Sequence, residues 1–250
     1  MKRETFRQSL LDGNPMMGTF LKTPSPVVAE VLGLSTLDVV AIDAEHAPFG
    51  RLDTDLCIAA LRAADMPCLV RVADDSTTQL RNALDSGADG VVVPHVINAE
   101  QAAHIVKACH FGDGGRGYAG SPRAAGYGTK SMPDHLADSA AHTTVIVQIE
   151  DIPALDQVAQ IAAVDGVDAV FIGRIDLAVA MGKGPMDDAV VDTVADICRV
   201  CSDAGTTVGL FTPDLSELPR WQELGASLFL LSSDHSMMLA GANQLAESIR

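Results

Sequence analysis

Short apolar runs alternate with longer amphipathic segments along almost the whole chain. Eight of these runs have the length and the aliphatic, β-branched composition of buried strands. The segments between them, such as DTDLCIAALRAADM and NAEQAAHIVKACH, carry apolar residues at helical spacing. The predicted strands are Met16–Leu21, Leu37–Asp43, Cys68–Val72, Gly90–Pro94, Thr144–Glu150, Ala169–Gly173, Thr207–Phe211 and Ser227–Leu231.

Eight strands that alternate with helices within 250 residues predict a (β/α)8 TIM barrel, with residues 1–250 as a single domain. The composition fits this fold. Hydrophobic residues make up 48% of the chain and aromatic residues only 4%, as expected for parallel strands packed with aliphatic side chains on both faces. An open doubly wound sheet is the alternative, but the glycine-rich turn that usually follows its first strand is missing here.

The charge balance narrows the possible partners. There are 17 Lys and Arg against 33 Asp and Glu, a formal net charge of −16, which argues against nucleic acid or an anionic membrane. The start, MKRETFRQSLLDGNP, lacks the apolar stretch of a secretory signal, so we expect a cytoplasmic protein. A small anionic substrate would need local positive charge at its site.

One connection is unusually long and rich in glycine: FGDGGRGYAGSPRAAGYGTKSMPDH, before the fifth predicted strand. Long loops in compact domains are often lids or subunit contacts. The role of its central part, residues 112–128, is left open between these and a solvent-exposed excursion.

Polar residues collect at the ends of the predicted strands, where the catalytic groups of barrel enzymes lie. Gln148 and Glu150 point to the same face of the fifth strand, and an inward charge there is costly unless it is paired or coordinated. Asp176 follows the next strand, so a divalent cation with oxygen ligands is one prediction and helix capping or ion pairing is the other. The full set at this edge is Asp43, Glu45, His46, Arg71, Gln148, Glu150 and Asp176.

Two further residue types suggest chemistry. His46 lies just past a strand end, three residues after Asp43, and could act as a base near neutral pH. Arg71 lies within the strand CLVRV, where a guanidinium needs an anion, for example a substrate carboxylate or an enolate. His95 follows VVVP and is expected either to support the site or to pack against it.

In this order the motifs resemble the HpcH/HpaI aldolase family over nearly the whole chain. The motifs that carry the resemblance are GTFLKTPSPVVAEVLG, DVVAIDAEHAPFG, LVRVADD, LDSGADGVVVPHV, VIVQIED and GVDAVFIGRIDLAVAMG. The resemblance implies a metal-dependent aldolase that cleaves 4-hydroxy-2-oxo acids to pyruvate or hydroxypyruvate and an aldehyde, and catalyses the reverse addition. The small-molecule partners are then a 2-oxo acid and an aldehyde.

The resemblance also implies a binding site. Glu150 and Asp176 would hold Mg2+, Mn2+ or Co2+, and no organic cofactor would be needed. Gln148, Gly173 and Ile175 would line the substrate site, with main-chain N–H groups near Ile175 holding the substrate carboxylate.

The catalytic roles are implied in the same way. His46 would be the base, acting through water or on the substrate directly, and Arg71 would bind substrate and stabilise the enolate. Asp85, in LDSGAD, matches the acidic residue that makes this histidine more basic; Asp43 fits that role by proximity, and the sequence does not choose between them.

The resemblance further implies a homo-oligomer, a hexamer built as a trimer of dimers, in which the last helix, about residues 238–250, packs on a neighbouring subunit. Phe20 and the pair Arg174-Ile175 depart from the residues usual in the family. We expect Arg174 to add charge and bulk at the rim and to affect the choice of aldehyde.

Other functions are weighed against this one. A lyase of the malyl-CoA or citrate-lyase-subunit type shares the barrel and the carboxylate pair, but its chain tends to be longer and no basic patch for CoA phosphates is visible. In a Schiff-base aldolase the lysine would be Lys22, the one lysine of five that ends a predicted strand. A barrel kept only as a binding module predicts no metal-dependent turnover.

Overall fold

A computed structural model describes residues 2–249, and its sheet is a closed barrel of eight parallel strands in sequence order. The barrel closes where the first strand pairs with the last, Met16 opposite Leu228. The (β/α)8 barrel predicted from the sequence is confirmed. The strands are β1 (Met16–Leu21), β2 (Val39–Asp43), β3 (Cys68–Arg71), β4 (Gly90–Val93), β5 (Thr144–Ile149), β6 (Ala169–Ile172), β7 (Thr207–Thr212) and β8 (Ala226–Ser233).

Helices follow the strands and surround them. Among residues 2–249, α1 precedes the barrel and α8 is a short additional helix between β6 and α9. The helices are α1 (Phe6–Leu11), α2 (Pro26–Gly33), α3 (Arg51–Ala63), α4 (Thr77–Asp85), α5 (Ala99–Cys109), α6 (Met132–His142), α7 (Val158–Ala162), α8 (Arg174–Ala180), α9 (Asp188–Ala204), α10 (Leu218–Glu223) and α11 (Asp234–Glu247).

The strand boundaries differ from the prediction by one or two residues. β2 begins at Val39 rather than Leu37, and β8 continues to Ser233. β4 stops before Pro94, which has no N–H to donate to the sheet. Glu150 lies just beyond the end of β5, so its carboxylate is at the mouth of the barrel rather than in the sheet.

Helix α1 fills the barrel interior from the amino ends of the strands. Phe6 and Leu10 of α1 belong to the same buried cluster as the inward-facing strand residues. This helix lies at the amino ends of the strands, because Arg7 pairs with Asp168 at 2.8 Å just before β6 and Thr207, at the start of β7, donates to the Leu10 carbonyl. The interior is therefore closed at this end. The cluster also contains Met16, Phe20, Val39, Ala41, Leu69, Val92, Ile146, Ala169, Phe171, Leu228 and Leu230.

Strand alternation determines which side chains reach the open end. In β2, Val39 and Ala41 face the interior cluster, so Asp43, two residues further on, continues the same row. The same rule brings Arg71 after Leu69, and Gln148 after Ile146. The outward-facing residues pack instead against the surrounding helices in a second, larger core. Three polar side chains thus occupy the uppermost inward positions.

The glycine-rich connection packs on the outside of the barrel. Buried Arg116 pairs with Asp85 at 2.5 Å, and its guanidinium lies 4.6 Å from the centre of the Phe111 ring. Arg123 pairs with Asp55 of α3 at 2.6 Å. These contacts fix the loop against α3 and α4. Within residues 2–249, none of the helices is both long enough and apolar enough to cross a membrane.

Candidate active site

A cavity of about 350 Å³ opens at the carboxyl ends of the strands. It is lined by six of the predicted site residues, together with aromatic residues of the interior and the start of α11. The lining residues are Phe20, Lys22, His46, Arg71, Gln148, Phe171, Gly173, Arg174, Ile175, Asp176, Phe211, Ser233 and Ser236.

Arg71 is held on one side by two carboxylates. Its Nε donates to Asp43 Oδ1 at 3.0 Å, and its Nη2 lies 2.9 Å from Asp43 Oδ2. Glu45 Oε2 is 3.2 Å from the same Nε. The guanidinium also stacks on the Phe20 ring, 4.5 Å from the centre of the ring. The arginine is therefore fixed before any substrate binds, in a way that a lysine could not reproduce.

Asp43 joins several neighbours. Besides Arg71, it accepts a hydrogen bond from the main-chain N–H of His46 at 3.1 Å, and Lys22 Nζ lies 3.1 Å from its Oδ2. Burial alone would raise the pKa of this carboxyl, but Arg71, the His46 amide and Lys22 together outweigh it. The pKa therefore lies below its ordinary value of 3.8. Asp43 is thus a fully buried, charged anchor for this side of the cavity.

His46 lines the cavity, but the carboxylate beside its ring is Glu45 and not Asp43. Its ring is about half exposed at the cavity rim, and Nε2 lies 3.7 Å from Glu45 Oε2. Asp43 contacts the main chain of His46, so the idea that Asp43 tunes the imidazole by direct contact is not supported. Glu45 is the carboxylate that lies beside the ring, and sequence reasoning gave Glu45 no role.

Asp85 does not lie near this histidine within one chain. It is the last residue of α4, a helix that runs back from the carboxyl end of β3 to the amino end of β4. Its carboxylate is occupied by Arg116 of the glycine-rich loop. The predicted pairing of Asp85 with His46 is therefore corrected for the isolated chain. The resemblance identified a matching motif but not its position relative to the cavity.

Glu150 and Gln148 form the opposite wall. Gln148 Nε2 donates to Glu150 Oε2 at 2.5 Å, and the main-chain N–H of His95 donates to Glu150 Oε1 at 2.9 Å. Gly173 lies directly beside them, since a Cβ built there would be 2.4 Å from Glu150 Oε2. A side chain at residue 173 would displace the carboxylate, so glycine is required by this close approach.

Glu45, His95 and Glu150 converge on one point. One donor atom from each lies within 4.8 Å of the others. Burial and the Glu150 carboxylate raise the pKa of Glu45 above 4.5, although Arg71 and the two imidazoles oppose this. Within the described residues, Gln148 Oε1 is buried without a hydrogen-bond partner, whereas Glu45 Oε2 has the Arg71 Nε at 3.2 Å. Two carboxylates and an imidazole at this separation fit a divalent cation, so the residues present suit the metal that the family implies.

His95 was the histidine whose role the sequence left open. Its backbone adopts a left-handed conformation, with φ of 58°, which is unusual for a residue other than glycine. Its Nδ1 lies 2.9 Å from Asp151 Oδ2. Partial burial lowers the pKa of His95, but Asp151, Glu150 and Glu45 outweigh this and raise it above 6.5. The rule that identified the other strand ends also applies to His95, which directly follows VVVP.

Ile175 and Asp176 lie in the first turn of α8, and both are exposed at the cavity. The first intrahelical bond runs from Leu177 N–H to the Gly173 carbonyl. The N–H groups before it have no partner within the helix, and such groups can hold a carboxylate. The structure thus places Asp176, Ile175, Gly173 and Gln148 along the cavity, with Glu150 directly beside Gly173 and Gln148.

Arg174 is not the free rim charge that the sequence suggested. It is buried, its Nη2 pairs with Glu217 Oε2 at 2.8 Å, and its guanidinium lies 5.4 Å from the Trp221 ring centre. Glu217 and Trp221 come from more than 40 residues further along the chain, so sequence proximity could not reveal the pairing. The charge of Arg174 is compensated inside the protein.

A closed barrel with acidic, amide and guanidinium side chains converging at the carboxyl ends of its strands has the organisation of a barrel enzyme. Sequence comparison is consistent with this class: the model of the HpcH/HpaI aldolase/citrate lyase family matches residues 16–239. The chain belongs to this family.

Similar proteins have aldolase names. A hydroxypyruvate/pyruvate aldolase of Paraburkholderia phytofirmans is 32% identical over 254 residues, covering 98% of this chain and 96% of that protein. A 5-keto-4-deoxy-D-glucarate aldolase of Salmonella arizonae is 32% identical over 248 residues, covering 98% and 96%. The crystal structure of an HpcH/HpaI aldolase/citrate lyase family protein from Burkholderia cenocepacia superimposes with a TM-score of 0.94, at 33% identity and 99% coverage of both chains.

We predict that Asp43→Asn lowers the free energy of unfolding by about 3 kcal/mol at neutral pH. Removing one partner of a buried ion pair costs about 3–5 kcal/mol, and Glu45 still compensates Arg71 in part. Urea unfolding followed by fluorescence of Trp221, the single tryptophan, measures the difference. Asp65→Asn, at an exposed position, is the control and should change stability by less than about 0.5 kcal/mol.

The pH dependence provides a second check. Because the native pKa of Asp43 is lowered, its contribution is present above the ordinary value and is lost as the pH falls through the native pKa. The difference between wild type and Asp43→Asn should be constant from about pH 8 to about pH 5 and narrow only below about pH 4. A difference that already narrows near neutrality contradicts this assignment.

Proposed function

We propose that the protein is a divalent-metal-dependent aldolase that cleaves 4-hydroxy-2-oxo acids into pyruvate or hydroxypyruvate and an aldehyde, and catalyses the reverse addition. The observation that carries the proposal is the arrangement of one cavity. Asp176 lines it, Glu150 lies directly beside the lining residues Gly173 and Gln148, and Arg71, fixed by Asp43 and Glu45, faces it from β3. Membership of the aldolase/citrate lyase family and the names of the relatives support it.

Glu150 and Asp176 are the proposed protein ligands of the cation, and Glu45 and His95 lie close enough to Glu150 to join or replace Asp176. A bound divalent cation polarises the keto group of a 2-oxo acid and lowers the pKa of the adjacent methyl group. The main-chain N–H groups at the start of α8 bind the substrate carboxylate, and Gln148 limits the space beside it. Gly173 leaves room for both.

Arg71 stabilises the negative charge that develops on oxygen as the bond between C3 and C4 breaks. Its preorganisation matters, because a donor already aligned for the enolate needs no rearrangement during the reaction. In the cleavage direction His46 removes the 4-hydroxyl proton and then returns it to C3 of the enolate. In the synthetic direction it removes a proton from the pyruvate methyl group and delivers it to the new alkoxide, directly or through water. The exposed ring at the rim is free to do so.

Other enzyme classes fit less well. A Schiff-base mechanism needs a neutral lysine amine at the reacting carbonyl, whereas Lys22 forms an ion pair with Asp43 at 3.1 Å. A lyase acting on a CoA ester would need cationic groups for the CoA phosphates. Within the described residues, Lys22, Arg71 and Arg174 are the lysine and arginine side chains that line this cavity, and each has a carboxylate partner.

We predict that a chelator abolishes aldol cleavage and that Mg2+, Mn2+ or Co2+ restores it. Calorimetry should show that Glu150→Gln loses metal binding. Asp176→Asn and His95→Gln then distinguish the two ligand sets, since only a true ligand should lower metal affinity. Asp192→Asn, on the exposed face of α9, is the control. Activity that survives complete metal removal but is lost when borohydride is added with substrate would identify a Schiff-base aldolase.

We predict that His46→Ala and Arg71→Ala both slow the exchange of pyruvate methyl protons with D2O, measured by NMR without aldehyde. General-base help is typically worth about 10²–10⁴ in rate, and one oxyanion donor about 10²–10³. Arg71→Lys should recover part of the loss, because it keeps the charge but not the planar geometry. If Arg71→Ala exchanges and cleaves at the normal rate, Arg71 is a structural ion-pair partner only.

We also propose that the chain forms a homo-oligomer, a hexamer arranged as a trimer of dimers, in which α11 packs on a neighbouring subunit. Within the described part of α11, Asp234 is its buried residue, and Met238, Leu239 and Leu245 are 54%, 65% and 71% exposed. Apolar residues of α2 are exposed as well, with Val27 and Val31 both at 64%. Such surfaces are typical of subunit contacts.

Light scattering should therefore give a mass of several chains for the wild type. Leu239→Glu with Leu245→Glu should shift this mass toward smaller species, because two charges would be buried against the neighbour. Asn243→Glu adds a charge to the same helix at a polar position and is the control. A monomeric wild type at micromolar concentration contradicts the proposal.

A further inference from the structure

Helix α8 carries Asp176, one of the proposed metal ligands, and needs support from the rest of the protein. It has seven residues, and a helix this short is unstable on its own in water. The connection that follows it, residues 182–189, is exposed along its whole length. The buried residues of α8 are Arg174, Leu177 and Ala178. Of these three, Arg174 is the polar one, so its contacts have a defined direction.

Arg174 joins α8 to the segment that follows β7. Its Nη2 lies 2.8 Å from Glu217 Oε2, and its Nη1 donates to the Pro185 carbonyl at 3.3 Å. The guanidinium also lies 5.4 Å from the centre of the Trp221 ring. The side chains of the ion pair are 3% and 11% exposed, so salt and solvent screen their attraction only weakly.

Glu217 is itself held in place. The oxygen that binds Arg174, Oε2, also accepts from Trp221 Nε1 at 3.0 Å and from Thr212 Oγ1 at 3.3 Å. Thr212 is the last residue of β7, Trp221 belongs to α10, and both are fully buried. One carboxylate oxygen therefore connects α8 to a barrel strand and to a second helix.

This connection reaches α8 at the cavity. Gly173, Arg174 and Asp176 all line the cavity, and Gly173 lies directly beside Glu150. Arg174 and Asp176 share the first turn of α8, so a shift of the backbone at Arg174 would also move Asp176. Whatever holds Arg174 thus also sets where the Asp176 carboxylate lies relative to Glu150.

We infer that Glu217 is a positioning residue for the metal site: through Arg174 it holds the first turn of α8 so that Asp176 can bind a divalent cation together with Glu150. The inference rests on the proposed function, and in particular on Asp176 as a ligand. Groups that orient metal ligands from outside typically contribute about 10–100-fold to metal affinity or activity.

The first test is the affinity of the full chain for Mn2+ without substrate, measured by calorimetry. Arg174→Met and Glu217→Gln should each weaken binding by about 10–100-fold. Aldol cleavage that is lost at low Mn2+ should return when Mn2+ is raised to saturation. Arg174→Lys keeps the charge for Glu217 and should recover part of the affinity.

Arg174→Met is expected to fold. Among the described residues, the buried Nε of Arg174 has no hydrogen-bond acceptor, so the variant also removes an unsatisfied donor. Glu217 keeps its hydrogen bonds from Trp221 and Thr212. Circular dichroism and urea unfolding check this directly.

Trp221 provides a second test that does not depend on activity. It is the single tryptophan of the chain, and it shares the Glu217 oxygen with Arg174. Binding of Mg2+, which does not quench fluorescence, should therefore change the tryptophan emission of the wild type. In Arg174→Met, saturating Mg2+ should leave the emission unchanged. An ion pair that only stabilises the fold predicts no response to Mg2+ in either protein, and that result contradicts the inference.

Arg7→Met is the matched control. It removes an ion pair of the same length, 2.8 Å, with buried Asp168 just before the amino end of β6, the strand that leads to α8 at its other end. This variant should lose stability and keep its affinity for Mn2+. If it weakens Mn2+ binding as much as Arg174→Met does, the effect is a general loss of stability and the inference is wrong.

The remaining outcomes separate the inference from the proposed function. A wild type that binds no divalent cation contradicts the proposed function, and the inference falls with it. If Asp176→Asn binds Mn2+ as tightly as the wild type, Glu150 binds the cation with Glu45 or His95; the aldolase proposal then stands and the inference is overturned. If Asp176→Asn weakens binding but neither Arg174→Met nor Glu217→Gln does, only the role of Glu217 is contradicted.

Discussion

The ion pair between Arg71 and Asp43 is the interaction on which the cavity depends. A guanidinium or a carboxylate is costly to bury at the carboxyl end of a closed barrel, and the opposite charge of the partner offsets part of this cost. The pair fixes the planar face of Arg71 over Phe20, and Asp43 also binds the His46 main chain and Lys22. One buried carboxylate therefore contacts the proposed electrostatic stabiliser, the loop with the proposed base, and the lysine that follows β1.

The two ends of the barrel differ in structure: the amino ends of the strands are closed, and the carboxyl ends open into the cavity. At the amino ends, α1 inserts Phe6 and Leu10 into the interior, and ion pairs such as that of Arg7 with Asp168 hold it there. Water is excluded from this side. At the carboxyl ends the inward positions are polar or charged, and Gln148 Oε1 is buried there without a hydrogen-bond partner among the described residues. The amino ends are thus closed by apolar packing and ion pairs, whereas the carboxyl ends present polar groups to a cavity, as expected where a ligand completes the site.

The fold, and many of the residues that lie at the cavity, were predictable from the sequence, whereas the contacts among these residues were not. Buried parallel strands produce continuous apolar runs, and the rule that chemistry lies at strand ends predicted that Arg71 and Gln148 lie at the cavity, with Glu150 beside Gln148. Asp43 is three residues from His46, but the turn after β2 directs its carboxylate to the main chain instead of the ring. The partners of Asp85 and Arg174 within this chain, Arg116 and Glu217, come from distant segments, so the sequence could not reveal these contacts.

The closed lower end of the barrel has a consequence for how the chain folds. The α1 segment is synthesised first, but its contacts lie far along the sequence: Arg3 binds Asp89, Arg7 binds Asp168, and the Leu10 carbonyl accepts from Thr207. None of these partners exists while the first strands leave the ribosome. Helix α1 therefore cannot dock on the barrel, and Phe6 and Leu10 stay exposed, until β7 has been synthesised. Closing this barrel brings the segment that is synthesised first into contact with segments that are synthesised late. Contacts between residues so far apart in the sequence give a high contact order, which slows the final step of folding.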